Sequence, residues 1–597
     1  MGRTVSFVIA VAVAAFAVWY VWRISQQTSS ASVSALLPRE TIFLAHVPDF
    51  NRTRDQWNHS DLCQLYREPA VQDFLRKPLA KLSKKDAASQ TLREIEGIDP
   101  KNAFFAVTSM ANDSPKIVVG FRFRENQNRA EKIIAGWCSE ALGDPRDRET
   151  IAYQRHKIHI FTFGLFSLAI VYDRNWFFAS NNLAEIKTLL DRADGRVKSA
   201  KNTLDADESY HAAVAHMPSS YAASFYLQPK MISERLTALR AAIQPSGATN
   251  ERPLLEQLRS ISGAMRFESG KIHDLLFLGM PKLEQDAALT RSSLTLGTKE
   301  TFFYLSMLLN VGQKIDALNQ AAGIAGTMQK FFQTFSDSGI TADDWKAAFG
   351  LELESLADWP SNAPWPSLIL TLPVIDMAGA GQIVEAVTRA DENAIWTQTE
   401  KDSVRYFSMP SPATLIAITP TIALSHRILI AGFNPVSVEE AVKRDGNGSS
   451  ELSNSQTYKT AAKLVPSPTN FFAYIDAPIL YSRLDASLRP MLLMAAAFMP
   501  GMTDCVDLTR LPAPEVITKH LSPIVSSQRY SSDGYVAESV GPITLDQSAI
   551  GLAILSGIGA AARQKGKTSL TGWGSPSTGT PQPSLSPSST PNPASTP

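Results

Sequence analysis

The sequence predicts an α+β protein with two tandem homologous domains, mainly antiparallel sheets and packed helices, preceded by one transmembrane helix. Three observations support this prediction. A long segment occurs twice, short apolar runs separated by turn residues follow one another closely within each copy, and an uncharged apolar run stands near the amino terminus. Strands joined by tight turns favour antiparallel pairing over βαβ crossovers, which places each copy in the α+β class.

The repeat is clearest in SYHAAVAHMPSSYAASFYLQPKMISERL, which starts at Ser209. This segment aligns without a gap with TYKTAAKLVPSPTNFFAYIDAPILYSRL, which starts at Thr457, and the alignment places Tyr210 on Tyr458. Matches elsewhere keep the same order with slightly different offsets, as insertions and deletions in loops would produce. One ancestral module has therefore been duplicated, and its matched residues are apolar, aromatic or turn-forming rather than catalytic.

Strands are predicted at matching places in the two copies. The first copy opens with a strand at residues 42–47, and a strand at 117–123 has its counterpart at 368–374. After Ile158 several strands follow, with turn signals at Gly164 and at residues 173–175. We expect this region to form an antiparallel meander.

A helix is predicted to begin after Asn182, because Asn is a favoured N-cap and apolar residues then recur at helical spacing. In the second copy Asn434 is the cap, and Pro435 takes the first helical position, where a missing N–H costs least. Connectors of low helical propensity, residues 192–207 and 444–455, then lead to the helices that contain Tyr210 and Tyr458.

The chain divides into four predicted segments. Residues 1–35 hold the anchor and a polar spacer, 36–290 the first repeat, 291–545 the second repeat, and 546–597 a short apolar segment and a tail. The apolar stretch 549–562 is read as a docking helix, with a membrane-touching segment as the alternative. The tail is rich in Ser, Thr, Pro and Gly, which predicts disorder because it can bury little apolar surface.

The apolar run from Val5 to Trp22 has about the length that spans a bilayer as a helix. A cleavable signal peptide is the alternative, but bulky residues follow the run where a cleavage site needs small ones. A short amino-terminal tail favours a single-pass protein whose bulk is extracytoplasmic, on the periplasmic side of the inner membrane. The start MGRTVS also fits a myristoylation pattern, which a spanning helix would make redundant.

Composition and motifs exclude several classes of function. Lys plus Arg and Asp plus Glu both total 57, so the formal charge is zero and binding to nucleic acid is disfavoured. The sequence has no nucleophile elbow, metalloprotease helix, phosphate-binding glycine loop or dinucleotide fingerprint, so we predict no catalytic residue and no cofactor. Cys63, Cys138 and Cys505 are read as free thiols, with a Cys63–Cys138 disulfide as the alternative in an oxidising compartment.

Two groups of residues have the composition of metal ligands but simpler roles. His156 and His159 are three residues apart, so on a strand they would point to opposite faces and not share an ion. The acidic runs beginning at Asp205 and Asp445 have alternating oxygen donors but lack the spacing of a calcium loop. Turn formation explains both runs, and no metal site is predicted.

One asymmetry between the repeats is informative. The helix predicted from Ser233 is amphipathic, whereas its partner in the second copy contains RPMLLMAAAFMPGM and is apolar on nearly all sides. Such a helix is either deeply buried or covered by another molecule. We expect burial between the two repeats. The alternative is a binding face, to which methionines would give adaptability, and its candidate residues are Met491, Met494, Phe498, Met499 and Met502.

The opening of the first repeat resembles a poorly characterised bacterial family of membrane-anchored envelope proteins, filed as a domain of unknown function. The resemblance rests on a Leu-Pro-x-x-Thr strand, a Val-Pro-Asp turn and a Pro-Ala-Val-x-x-Phe-Leu helix. These motifs fall on Leu37, Pro38, Thr41, Val47, Pro48, Asp49, Pro69, Ala70, Val71, Phe74 and Leu75. The resemblance implies an extracytoplasmic, membrane-anchored protein and transfers no catalytic residue.

The sequence therefore favours a non-catalytic binding or scaffolding role in the bacterial cell envelope. The anchor would contact the membrane, and an envelope protein or a lipid would be the partner. The alternative is an envelope enzyme or substrate-binding component whose site forms between the two repeats.

Overall fold

A computed structural model describes most of the chain from Ser32 to Gln547. The described ranges are 32–81, 85–111, 114–124, 126–164, 166–196, 202–230, 258–282, 288–308, 339–389, 395–410, 418–447, 450–498 and 507–547. The predicted anchor at residues 5–22, the apolar stretch 549–562 and the predicted disordered tail lie outside them. Among the helices that are described, none is both long and apolar enough to cross a membrane.

The first half of the fold alternates strands and helices. Its strands are β1 Phe43–Asp49, β2 Lys101–Ala111, β3 Ser114–Arg122, β4 Asp147–Tyr153, β5 His156–Phe163, β6 Phe166–Asp173, β7 Trp176–Ser180, β8 Ala223–Leu227, β9 Ser260–Glu268 and β10 Lys271–Gly279. Its helices are α1 Val33–Leu36, α2 Phe50–Asn58, α3 Asp61–Arg67, α4 Pro69–Lys81, α5 Lys85–Ile98, α6 Gln127–Leu142, α7 Leu183–Ala193 and α8 Glu208–Ala215.

The second half repeats this order. Its strands are β11 Thr301–Leu308, β12 Glu352–Asp358, β13 Ser367–Pro373, β14 Thr397–Lys401, β15 Val404–Ser408, β16 Thr421–Leu424, β17 Ile428–Gly432, β18 Phe471–Ile475, β19 Ile524–Tyr530 and β20 Tyr535–Gly541. Its helices are α9 Ala342–Phe349, α10 Met377–Arg389, α11 Pro435–Asn447, α12 Glu451–Asn454, α13 Gln456–Ala462, α14 Ala477–Phe498 and α15 Pro514–Thr518.

The described strands form one sheet of twenty, and every pairing is antiparallel. In the first half the spatial order is β4-β5-β6-β7-β3-β2-β1-β8-β9-β10. The second half has the equivalent order from β14 to β20. The α+β class with a large antiparallel sheet is therefore confirmed.

The two halves meet where β10 pairs with β20. Leu275 lies opposite Glu538, its own equivalent in the second copy, and Ile272 lies opposite Gly541 while Leu278 lies opposite Tyr535. Each half thus offers the same strand to the other, as in a two-fold symmetric dimer interface. The halves share one sheet within one compact unit, and the predicted boundary at 290/291 falls between β10 and β11.

Side-chain hydrogen bonds also cross between the halves. Three of them join a histidine of one half to a carboxylate of the other: His216 to Asp533 at 2.9 Å, His273 to Glu538 at 3.1 Å and His520 to Glu68 at 2.7 Å. His216 additionally stacks on Phe277 of β10, with ring centroids 4.5 Å apart. The junction is therefore held by side chains as well as by the β10–β20 ladder.

The duplicated tyrosines occupy equivalent places in the two cores. The rings of Tyr210 and Tyr226 meet edge to face at 5.1 Å and 84°, and those of Tyr458 and Tyr474 meet at 5.1 Å and 69°. In each half this pair links a short helix to the sheet beneath it. The sequence alignment that placed Tyr210 on Tyr458 therefore corresponds to a shared packing geometry.

Several local predictions are confirmed. The Asn182 side chain accepts hydrogen bonds from the amides of the first turn of α7, and Asn434 caps α11 in the same way. Gly164 turns the chain between β5 and β6 with a φ of 50°. Arg174 and Asn175 adopt the left-handed conformation in the β6–β7 turn, at φ values of 47° and 68°. This turn type matches the twist of a hairpin.

Two expectations need correction. Residues 444–455 were read as a connector of low helical propensity, but α11 extends to Asn447 and α12 begins at Glu451. A side-chain cap explains the second helix, because Ser450 accepts a hydrogen bond from Ser453 N. The alternative disulfide is also wrong, since Cys63 and Cys138 are both free; Cys505 lies outside the described residues.

Candidate binding surfaces

Helix α14, which carries the predicted methionine-rich surface, is fixed to the fold along its first three turns. Asp476 caps it by accepting from Ile479 N at 3.1 Å. Arg483 then donates to the Trp359 carbonyl at 3.0 Å and Ser487 to the Pro364 carbonyl at 2.9 Å. These contacts lie on successive turns, so they hold one side of the helix against the loop that follows β12.

Arg489 makes the last of these contacts. Its guanidinium binds Asp485 one turn earlier at 2.6 Å and donates to the carbonyls of Leu511 and Pro512 at 3.1 and 2.6 Å. The next residue is Pro490, which has no N–H to donate to the preceding turn. The helix is therefore anchored up to Arg489 and continues beyond it as far as Phe498.

From Met491 to Met494 the helix is exposed on every side. Met491 is 49% exposed, Leu492 37%, Leu493 43% and Met494 59%. Successive helical residues point about 100° apart, so four in a row cover the whole circumference. Every side of this end of α14 is therefore partly open to solvent, and we call residues 491–494 the apolar helix end.

The preferred prediction for this helix was therefore wrong in one respect. We expected Met494 to be buried between the two repeats, but it lies in the solvent. The halves meet at β10 and β20 instead, so no helix is needed between them. Phe498 belongs to α14 but its side chain lies outside the described part, as do Met499 and Met502, so this candidate set is described only at Met491 and Met494.

An exposed tryptophan stands beside the anchored part of the helix. Trp365 is 41% exposed and directly follows Pro364, whose carbonyl accepts from Ser487 one turn before the apolar helix end. An indole in such a place presents both an apolar ring and an N–H donor. Sequence reasoning missed this residue, because only the fold brings the loop after β12 against α14.

A second candidate is an open cleft of about 740 Å³ within the first half. Its floor is an ion-pair network. Lys101 binds Asp49 at 2.5 Å and Asp99 at 3.1 Å, while Arg124 approaches Asp99 at 3.3 Å. Burial would raise the pKa of Asp49, but the hydrogen bond from Lys101 outweighs it and holds that pKa below its usual value.

The rim of this cleft comes from α2 and the turn between β9 and β10. Arg52 and Gln56 line it from the helix, and Ser269 lines it from the turn, with a left-handed φ of 51°. His59 Nδ1 donates to the Asp55 carbonyl at 2.6 Å. All lining residues belong to the first repeat, so this cleft is not the site between the repeats that the alternative prediction described.

A third cluster has the composition of a metal site but the geometry of an ion-pair network. His156 Nε2 lies 2.8 Å from Asp194 and its Nδ1 lies 3.4 Å from Asp173. Arg155 and Arg196 also bind Asp194. Burial would raise the pKa of Asp194, but the His156 hydrogen bond and these charges hold it below its usual value. The ligand atoms thus already have partners.

His159 lies outside this cluster, as the strand spacing predicted. Its Nδ1 lies 3.0 Å from the hydroxyl of Thr150 on the neighbouring strand. Of the acidic runs, Asp207 caps α8 by accepting from Tyr210 N at 3.0 Å, whereas Asp445 lies inside α11. These carboxylates serve local structure, but as a helix cap and a helix residue rather than as the turn residues that we expect from the sequence.

Two buried carboxylates hold the segment between the halves. Glu352 accepts hydrogen bonds from the amides of Thr290 and Arg291 at 2.9 and 2.8 Å. Glu354 accepts from Ser293 N at 3.0 Å and from the Tyr304 hydroxyl at 2.9 Å. Burial raises the pKa of Glu354 despite these bonds. Because every donor belongs to the fold, this pair fastens the start of the second repeat.

Comparison with known proteins adds little to these surfaces. No protein-family model and no curated protein matches the sequence. Crystal form I of TP0453 is similar at a TM-score of 0.23 and 5% identity, covering 43% of this chain and 82% of that chain. Crystal form III of TP0453 is similar at a TM-score of 0.24 and 6% identity, covering 43% of this chain and 84% of that chain. At these values the similarity carries no argument.

Proposed function

We propose that this protein is a membrane-anchored, extracytoplasmic envelope protein with a non-catalytic binding role, and that the apolar helix end is its contact surface. The observation that carries the proposal is the exposure of Met491 to Met494 on all sides of α14. A contiguous exposed apolar surface of this kind marks an interaction site in a soluble fold. The apolar run at residues 5–22 supports the membrane anchor.

The described polar clusters support a binding role over catalysis. A catalytic acid or base needs a titratable group in reach of a substrate. In the cleft the carboxylates of Asp49 and Asp99 are held by Lys101, and in the His156 cluster both imidazole nitrogens face carboxylates. These side chains are already used to hold strands and helices together.

Methionine oxidation tests whether the helix end is covered in the cell. Met491 and Met494 should be oxidised slowly by hydrogen peroxide in intact host membranes and quickly after urea has unfolded the protein, because a bound partner would shield their thioethers. Met217, which is half-buried in the fold, shows how much protection the fold alone provides. If Met494 in membranes is no better protected than Met217, the proposal is overturned.

A further inference from the structure

We propose that the partner of the apolar helix end is lipid, and specifically the bilayer that carries the anchor at residues 5–22. This inference rests on the proposed function and names its partner. It starts from the shape of the exposed surface. A protein groove accepts a helix by one stripe of residues at i, i+3, i+4 and i+7. Here the exposed apolar residues surround the axis, so only a medium that surrounds the helix covers them all.

The length of the apolar part fits one leaflet of a bilayer. From Met491 to Phe498 the helix rises about 12 Å at about 1.5 Å per residue. One leaflet contributes about 15 Å of hydrocarbon, half of the usual thickness of about 30 Å. The sequence has no charged residue from Pro490 to Thr503, so insertion to this depth would bury no charge.

The groups at the base of this segment suit the headgroup zone. Arg489 is the last charged residue before it, and its charge is neutralised by Asp485. Trp365 lies beside the preceding turn with its ring exposed. Tryptophan is enriched at the boundary between hydrocarbon and water, since its ring is apolar and its N–H is polar. A boundary at Trp365 and Arg489 would place Met491 to Met494 on the hydrocarbon side.

The short linker between the anchor and the fold determines which bilayer the apolar helix end can reach. Ten residues, from Arg23 to Ser32, connect the apolar run to the described fold. Fully extended, they span at most about 35 Å. The fold is therefore confined close to the membrane in which its own anchor sits, and the apolar helix end meets that bilayer at a high effective concentration.

The duplication supplies an internal comparison. The alignment that places Tyr210 on Tyr458 also places Ile243, Gln244, Pro245 and Ser246 of the first repeat on Met491 to Met494 of the second, so the first repeat has proline and polar residues where the second is apolar. Both helices descend from one ancestral segment, yet only the second has become apolar on all sides. Packing against a shared fold does not account for that difference, whereas insertion of a single helix does.

Photo-crosslinking of the full chain in vesicles tests the inference. p-Benzoylphenylalanine replaces Leu492 or Met494, which lie on opposite sides of α14, or Ile395 as the control, which is 74% exposed elsewhere. The chain is reconstituted into phosphatidylethanolamine and phosphatidylglycerol vesicles and mixed with vesicles of deuterated lipid. The denaturation midpoint of each variant is compared with wild type, so that a folding defect is recognised.

The expected result is a lipid adduct of ordinary mass at both positions 492 and 494, at least tenfold more abundant than at 395. Deuterated adducts would show that the helix reaches a different bilayer and would overturn the choice of membrane. An adduct to a second copy of the chain would overturn lipid as the partner while leaving the binding role intact. If position 494 gives no adduct and Met494 in membranes is also no better protected from oxidation than Met217, both proposals fail.

Discussion

Replacing His46 should remove a specific part of the acid sensitivity of the fold. His46 lies on β1 between β2 and β8, and its Nδ1 is 2.9 Å from the hydroxyl of Tyr221. Burial lowers the pKa of His46 from 6.5 to about 4, although the amide of Asn102 opposes part of the effect. The folded protein therefore holds this imidazole neutral at a pH where the unfolded chain protonates it.

The magnitude follows from linkage. One pKa unit corresponds to about 1.4 kcal/mol, so a shift from 6.5 to about 4 is worth about 3 kcal/mol in total. This contribution is fully present above pH 6.5 and is lost as the pH falls toward 4, because protons then bind the unfolded chain preferentially. At pH 5 the contribution of His46 to the free energy of unfolding should be lower by about 2 kcal/mol.

The assay is urea denaturation of wild type and His46→Gln at pH 7.5 and pH 5. Other groups titrate in both proteins, so the readout is the difference between their free energies of unfolding at each pH. That difference should move by about 2 kcal/mol in favour of the variant at pH 5. His211→Gln, an exposed histidine on α8, is the control for removing an imidazole. The same difference at both pH values would refute the reasoning.

Three further outcomes are expected. Alkaline carbonate should not extract the full chain from membranes, and protease added to spheroplasts should digest it. Extraction by carbonate, or resistance to protease until the cells are lysed, would contradict the anchor at residues 5–22. Met494→Asp should cost no more than about 1 kcal/mol, since the side chain is 59% exposed, whereas Phe472→Asp buries a charge and should cost at least about 3 kcal/mol; equal urea midpoints would contradict this. Gly120→Ala should destabilise the fold by about 1–3 kcal/mol, because its Cβ would lie 2.6 Å from both Phe104 and Phe178. The control is Gly136→Ala in α6, whose Cβ meets nothing within 4 Å, so this variant should be neutral or stabilising. A stabilised Gly120→Ala variant would show that the two phenylalanine rings can move aside.

Local sequence signals predicted elements well where the determinant is itself local. The N-cap at Asn182 and the left-handed turn at Asn175 depend on a few neighbouring residues, and both are found where expected. The duplication added long-range information, because a match between copies implies the same packing twice. The packing of Tyr210 on Tyr226 and of Tyr458 on Tyr474 in the same edge-to-face manner is an example.

The parts that could not be predicted depend on partners far away in the chain. The alternation in GLELESL favours a strand with Leu353 inside and its glutamates outside, yet Glu352 and Glu354 are buried. Their acceptor groups are satisfied by the segment that begins at Thr290, about sixty residues earlier. No local pattern encodes these donors. The place of Trp365 beside α14 could not be predicted either, because it depends on contacts such as the hydrogen bond from Ser487 to the carbonyl of the preceding residue, Pro364.

The symmetric pairing of β10 with β20 bears on how the two copies of this helix came to differ in sequence. At β10 and β20 each half offers the same strand to the other, which is the arrangement of two identical chains in a dimer. An ancestral pair of identical modules would carry identical helices at positions 233 and 481. Once fused, the two halves could diverge, because a substitution then changes one helix only. At the positions of Met491 to Met494 the second helix has four apolar residues, where the first repeat has Ile243, Gln244, Pro245 and Ser246. Fusion thus permits an apolar helix end in one copy alone, which a symmetric dimer of one module cannot have.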